Sequence, residues 1–506
     1  MKFAKLKSIT AMAIFALLTL TLNLAAQESP AAHRHYKLID IGTFGGPNSS
    51  FVLPPPGGRL LNNRGAAAGG ADTSNPDSSS CLNFDCYLSY GFKWQDGFAN
   101  ELAALPGFNS SFPIWVSDNG LVAGISENGI DPLTGSFAFE AVLWRKDGSI
   151  FDLGTLGGND SIANAINNWG QVAGGALNTI PDPYAASVFF VPGVTQVHAF
   201  RWTTSQGMQD LGTLGGTDSF AFLINELGQI AGLSFTNTTV NSSTGYPTLD
   251  PFLWENGKML DLGTLGGTFG QANGLNNRGQ VVGFSDLAED STEHPFLWSE
   301  CEGMKDLGTL GGTFGHADFI NDAGDVVGFA TIANDQTGHA FLWRQGVMTD
   351  LGTLGADPAS ESVGVNSQGQ VVGGTFGASG DLRAFLWEDG GPMVELNTLI
   401  PPNRGLQLTD ATYINDHGEI AAFGLLSNGD IHAFVLIPCD EDHADVEGCD
   451  YEPVEVVTEA PVRSAQTTQA SAAAATNAKL SPAEMTARFR SMMARRNRRF
   501  GAAPSK

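Results

Sequence analysis

Apolar residues come in short alternating runs, broken by glycine and asparagine, along most of this chain. The stretch from Met259 shows the pattern. Met259 to Leu262 alternates and runs into Gly263-Thr-Leu-Gly-Gly267, whose glycines permit positive φ and a tight backbone path. A second apolar run, Ala272 to Leu275, meets Asn276-Asn-Arg-Gly279, and Gln280-Val-Val-Gly283 follows as a third. Asn opening a turn and Gly closing it three residues later predict a hairpin. An aromatic run, Pro295-Phe-Leu-Trp298, completes the set. In a strand Phe296 and Trp298 share a face, which suits a sheet packed on a neighbour. Asp-Gly or Asn-Gly follows several aromatic runs (Asp96-Gly97, Asp147-Gly148, Asn256-Gly257, Asp389-Gly390) and predicts a second hairpin into the next Asp-Leu-Gly strand. Each unit reads as four short antiparallel strands.

The unit repeats. Asp-Leu-Gly-Thr-Leu-Gly-Gly stands at 152–158, 210–216, 261–267 and 306–312, with looser copies starting at Asp40, Glu101, Asp350 and Glu395. Turns of the Asn-x-x-Gly kind begin at Asn62, Asn167, Asn225, Asn276, Asn321, Asn366 and Asn415, and Ser117 replaces Asn in one copy. Aromatic strands end at Trp94, Trp144, Trp202, Trp254, Trp298, Trp343 and Trp387, and the eighth copy ends at Leu436. Four-stranded units at this period predict an all-β, closed β-propeller over 36–438 with eight four-stranded blades; seven is the alternative, because the first two units are degenerate. A parallel solenoid would want a shorter coil without hairpins. The ends supply the argument for closure. Tyr36 to Asp40 is a first-type strand with no aromatic strand before it, and Ile431 to Ile437 is an aromatic strand with no partner after it. Pairing them would remove the last open edges.

The flanks differ from the array. Lys2, Lys5 and Lys7 precede an apolar run from Ile9 to Leu24, and Ala25-Ala26-Gln27 offers a cleavage site. Residues 1–26 therefore read as a secretory signal peptide, and the mature chain as secreted, periplasmic or at the cell surface. Residues 439–450 form an acidic loop bracketed by cysteines, 451–480 a flexible linker, and 481–506 a short basic amphipathic helix and tail. That tail carries Arg488, Arg490, Arg495, Arg496, Arg498 and Arg499, suited to peripheral contact with an anionic surface. Five cysteines in an exported chain predict two local disulfides, Cys81–Cys86 and Cys439–Cys449, and leave Cys301 as a packed free thiol. The net charge of −27 argues against a nucleic-acid partner for the main body.

His198-Ala-Phe, His339-Ala-Phe and His432-Ala-Phe stand beside the Asp-Leu-Gly-Thr-Leu-Gly-Gly and Gly-Gln-Val-Val-Gly elements. In these motifs the chain resembles the bacterial HAF-repeat family of probable extracellular repeat proteins, over roughly residues 36 to 438. The resemblance implies export and a repeated all-β fold. It brings no settled activity and no catalytic residues.

Candidate chemistry is sparse. The position before each aromatic strand reads Tyr90, Glu140, His198, Asp250, His294, His339, Arg383 and His432. Because these lie on different blades, a shared metal is not expected, and solvated strand edges are. No nucleophile elbow or His-Glu-x-x-His occurs, and no acid or histidine conspicuously breaks the repeat, so no catalytic residue, metal or cofactor is expected. The Trp series is expected in the core, and Trp115 and Trp169 on the surface. Long connections in the first four units predict a ligand-binding face bearing Asp131, Tyr184, Phe189, Phe190, Asn237 and Tyr246. The functional expectation is a monomeric, non-enzymatic secreted module that binds a glycan or protein of the envelope or beyond. A secreted propeller enzyme acting on polysaccharide, of glycosidase or lyase type, is the alternative.

Overall fold

The computed structural model describes residues 34–440, apart from 52–57, 77–86, 131–136, 183–194, 242–245, 378–380, 389 and 403–404, together with residue 449. Among the described residues the chain is nearly all β. It forms eight four-stranded antiparallel sheets, two of them joined by a single parallel bridge at Leu249 and Phe269. No helix among the described residues is long and apolar enough to cross a membrane.

The sixth sheet shows the order within a unit. Its strands Gly311–Ile320, Val326–Ile332, Gly338–Arg344 and Val347–Asp350 pair successively, joined by the two predicted hairpins. Every first-to-second pairing contains a register shift, in this sheet between Ala317 and Phe319. The Gly of Val-Val-Gly makes room for it. A Cβ at Gly328 would collide with the His316 carbonyl oxygen, so only glycine lets the two backbones approach this closely. The third-strand Phe fills the core: Phe92, Phe200, Phe252, Phe296, Phe341 and Phe385 are fully buried. Six of the seven series tryptophans are buried and Trp254 is partly so, which is the expected core placement.

The Asp-Leu-Gly-Thr-Leu-Gly-Gly stretch is the joint between one sheet's last strand and the next sheet's first. Asp210 Oδ1 accepts the Gly212 N–H at 2.7 Å, Thr213 Oγ1 accepts the Gly215 N–H at 3.2 Å, and the same hydroxyl donates to Gly216 O at 2.9 Å. Gly215 sits at φ +118°, in the half of backbone space that other residues rarely enter. The motif repeats because the joint repeats.

The last sheet takes Leu406–Ile414, Ile420–Leu426 and Ile431–Pro438 from the end of the array and Tyr36–Asp40 from its start. The pairing is in register from Tyr36 opposite Pro438 to Asp40 opposite Phe434. Each sheet touches the next, and the eighth touches the first through Gly45–Ser50 against Ile431–Pro438. The circuit of contacts returns to its start. This is a β-propeller, with the first strand of each blade innermost.

The turn asparagines bind this circuit. Asn276 Oδ1 accepts the N–H groups of Arg278 and Gln280, both at 3.0 Å, so it does hold its own turn as the sequence implies. Its amide, however, donates to Asn321 O in the next blade at 3.0 Å. The relay runs from Asn167 to Asn225, Asn276, Asn321, Asn366 and Asn415, and Asn415 donates to Asn62 O at 3.0 Å. Asn62 then reaches Ser117 O at 2.7 Å. Ser117 has no amide to pass on, and at that seam Asn119 reaches Asn168 instead, its N–H donating to Asn168 Oδ1 at 3.1 Å. Replacing Asn276 by Asp keeps the acceptor for its own turn and removes the donor to Asn321. Urea denaturation is expected to show a loss of about 1–3 kcal/mol, the cost of a buried carbonyl left without its donor. Unchanged stability would mean that the cross-blade bond contributes nothing.

Candidate functional site

Strands alternate in direction, so the hairpin turns of a blade, two in seven blades and one in the eighth, lie on one face, which we call the turn face. Second strands end, and third strands begin, on the other face. Next to the relay, one residue further along each turn, a second circle surrounds the axis: Asn63, Asp118, Asn168, Glu226, Asn277, Asp322, Ser367 and Asp416. Acids on alternate blades accept N–H groups from the blade before: Asn63 donates to Asp118 Oδ1 at 2.9 Å, Asn277 to Asp322 Oδ1 at 2.8 Å and Ser367 to Asp416 Oδ1 at 2.9 Å.

Arg59 sits among these acids, Nη1 to Asp118 Oδ2 at 3.1 Å. Burial pushes Asp118 upward, but Arg59 and the Asn63 N–H outweigh it and hold that carboxyl below its usual range. Burial raises Glu226, aided by the charges of Asp118 and Asp322 and opposed by Asn168 and Arg59. Tyr413, on blade eight, meets Arg59 and packs edge-on against Phe319 of blade six, ring centroids 5.9 Å apart. Contact between non-adjacent blades means that the axis is filled here. Arg59 neutralises a ring of acids that would otherwise repel one another, a structural task.

The exposed chemistry of the turn face lies further out. Trp169 is 77% exposed and Leu227, at the same turn position of the next blade, 67%. The indole N–H of Trp169 donates to Glu226 O at 3.0 Å, which fixes the ring and leaves its faces open. Beside it a shallow cleft of about 380 Å³ is lined by Leu121, Leu143, Arg145, Lys146, Trp169 and Thr204, among others. Lys93 adds a third cation. Its ammonium donates to Gly120 O at 2.9 Å, and burial, then the charge of Lys146, lower its pKa.

Most of the polar series before the aromatic strands is half-buried and paired across the strands, where solvation alone was expected. Each histidine pairs with the Asp of the adjoining Asp-Leu-Gly strand: His198 with Asp210 at 2.8 Å, His294 with Asp306 at 3.0 Å, His339 with Asp350 at 2.9 Å. His432 pairs with Asp40 at 2.9 Å, across the terminal strand pairing, and Arg383 reaches Glu395 at 3.1 Å in the same register. Two blades instead oppose acids. Burial first, then Asp152, pushes Glu140 up to about 7; burial, then Asp261, does the same to Asp250. A carboxyl whose pKa is higher folded than unfolded adds stability that is full below about pH 4. That stability is lost as pH rises through about 7. Asp250→Asn mimics the protonated form at every pH. Its stability relative to the parent should therefore rise between pH 5 and pH 8.5 by on the order of 1 kcal/mol in urea denaturation. An equal difference at both pH values would contradict the raised pKa of Asp250.

Three residues break the repeat on the innermost strands. His316 and Asp318 of blade six meet Glu361 of blade seven, with exposures of 3%, 6% and 4%. His316 Nε2 lies 3.2 Å from Asp318 Oδ2 and 3.5 Å from Glu361 Oε1. Phe329 stacks on the imidazole, ring centroids 5.5 Å apart, and Phe314 meets it edge-on. Burial works against charging His316, but Asp318 and then Glu361 hold its pKa well above the ordinary value. The expectation that no acid or histidine breaks the repeat is thus corrected. The signal was available: Gly-Thr-Phe-Gly-His-Ala-Asp at 312–318 stands where the preceding unit has Gly-Thr-Phe-Gly-Gln-Ala-Asn.

The remaining predicted positions divide. Asp131, Tyr184, Phe189, Phe190, Cys81, Cys86, the signal peptide, the linker and the basic tail lie outside the described residues. Asn237 accepts the Thr239 N–H at 2.8 Å within its own loop, and Tyr246 packs against the core. Cys439 and Cys449 form the predicted disulfide, Cα atoms 5.7 Å apart. Cys301 is free but exposed, not packed, because it sits in the turn after Ser299. Trp169 is exposed as expected. Trp115 is buried, because every residue of its inner strand Ser111–Val116 is enclosed between blades.

No family model matches the chain, and no curated protein does. Solved structures with a similar course include a Mycobacterium tuberculosis puromycin-hydrolyzing peptidase, 11% identical, covering 77% of this chain and 62% of that one, TM-score 0.41. The β-propeller domain of the Trilobed protease from Pyrococcus furiosus is 13% identical over 71% of this chain and 100% of that one, TM-score 0.39. Porphyromonas gingivalis dipeptidyl peptidase 4 is 12% identical over 77% and 60%, TM-score 0.40. The chain thus spans less than two thirds of both whole peptidases, and likeness at this level brings no activity with it.

Proposed function

We propose that this is an exported, non-enzymatic β-propeller of the HAF-repeat kind that holds an acidic polysaccharide on its turn face. The observation that carries the reading is Trp169. A tryptophan 77% exposed, yet held by its indole N–H, is a rigid platform for a sugar ring. Rigid, exposed aromatics are where binding energy concentrates. Lys146 and Arg145 line the same cleft, and the charge of Lys93 is felt at Lys146, on a chain whose net charge is −27. Charges beyond about 8 Å are screened at physiological salt, so this local patch, not the whole-molecule charge, meets a bound carboxylate. Thr204 and Asp147 supply hydroxyl and carboxylate partners for sugar hydroxyls. The enzymatic alternative needs carboxylates open to substrate. The His316, Asp318 and Glu361 cluster is instead closed to it by burial.

Calorimetric titration with polygalacturonate, with neutral dextran as control, tests the proposal. Binding of the acidic polymer alone is expected, weakened by about tenfold or more in Trp169→Ala and in Lys146→Glu. Failure to bind polygalacturonate, or affinity unchanged in both variants, would overturn it.

A further inference from the structure

We propose that His316, Asp318 and Glu361 hold one divalent zinc-class ion that clamps blade six to blade seven at their innermost strands. The argument begins with geometry. Ligands about 2.0–2.2 Å from a zinc ion stand roughly 3.3–3.5 Å apart in a tetrahedron. His316 Nε2 lies 3.2 Å from Asp318 Oδ2 and 3.5 Å from Glu361 Oε1. All three donor atoms lie within 4.8 Å of one another. A single Nε2–H can point along only one of these lines, whereas an ion between the three atoms meets all of them at once.

Charge points the same way. Two carboxylates facing one imidazolium leave a net negative charge among residues no more than 6% exposed, a costly arrangement. Two carboxylates, a neutral imidazole and a divalent ion sum to zero. The donor set of one imidazole nitrogen and two carboxylate oxygens suits zinc-class ions and lacks the all-oxygen cage that calcium prefers. Phe329 and Phe314 fix the ring that presents Nε2, the kind of packing support a ligand histidine needs.

The repeat itself provides a separate line of support. The positions equivalent to His316 and Asp318 carry Gln271 and Asn273 in blade five, and Ile162 and Asn164 in blade three. There Asn273 and Asn164 bridge to the next blade by hydrogen bonds to Ala317 O at 2.9 Å and Ala221 O at 2.8 Å. At blade six the amide link is replaced by a histidine and a carboxylate facing a third ligand across the seam. The substitution keeps the inter-blade tie and changes its chemistry.

The test uses the full chain, stripped with EDTA and titrated with zinc chloride in a calorimeter. One tight site per chain is expected, with Kd below about 1 μM. It should be weakened by at least about 100-fold in both His316→Gln and Glu361→Gln. Because loss of a buried ligand can itself unfold the chain, cobalt substitution of the parent protein gives a second readout. Intense visible bands of four-coordinate cobalt, held by the three side chains and one water, support the assignment. The absence of a tight zinc site, unchanged affinity in the two variants, weak six-coordinate cobalt bands, or preference for calcium over zinc would each overturn it.

Discussion

The side-chain amide of one asparagine in nearly every blade holds this molecule as a circle. Its oxygen closes its own turn, and its N–H₂ group reaches the same residue's carbonyl in the next blade. No other residue type does both at this length: aspartate lacks the donor, and serine, as at Ser117, has no amide to pass on. One residue thereby fixes a hairpin and a blade-to-blade distance together. A first-to-last bond, Asn415 to Asn62, spans 353 residues of sequence. The register of eight sheets follows from a contact each sheet makes with the next.

Strand pairing at the termini and the amide relay support one another. Tyr36–Asp40 completes the eighth sheet, and the His432–Asp40 pair reproduces at that seam what His198–Asp210 does inside an unbroken hairpin. Tyr36 donates its N–H to Leu399 O at 2.7 Å, and Cys439 donates to His35 O at 2.8 Å. Arg34 reaches Asp440 at 2.8 Å just beyond the strand pair, where the Cys439–Cys449 disulfide begins. The two ends of the array are thus tied at several points, each of them weak alone.

The fold was legible because its signals are local and repeated. Asn-x-x-Gly, Asp-Gly and the alternating Phe-Leu-Trp each describe a turn or strand within a few residues, and eight copies average out the irregular ones. What escaped notice concerned partners rather than elements. Within a hairpin the His–Asp pairs sit 11 or 12 residues apart, and His432 and Asp40 392 apart, so only the strand register brings them together. The burial of Trp115 comes from its strand's place between blades, which its own sequence does not reveal. His316 and Glu361 were hidden by the search for likeness. A repeat is read by what its copies share, whereas a site is marked by the copy that departs. Trp169, outside the aromatic series, is exposed, but Trp115 is equally outside the series and is buried, so that departure alone does not mark a surface residue.

Hydrogen exchange at the terminal strand tests circular closure most directly. If the first strand is bound into the eighth sheet and the relay makes the circle cooperative, the amides of Lys37 and Ile39, which face Ile431–Pro438, should exchange as slowly as those of Phe434 and Val435. Both sets should then speed up together in urea. Exchange of residues 36–40 at the rate of an unstructured chain, while 434–436 stay protected, would contradict closure and leave an open array.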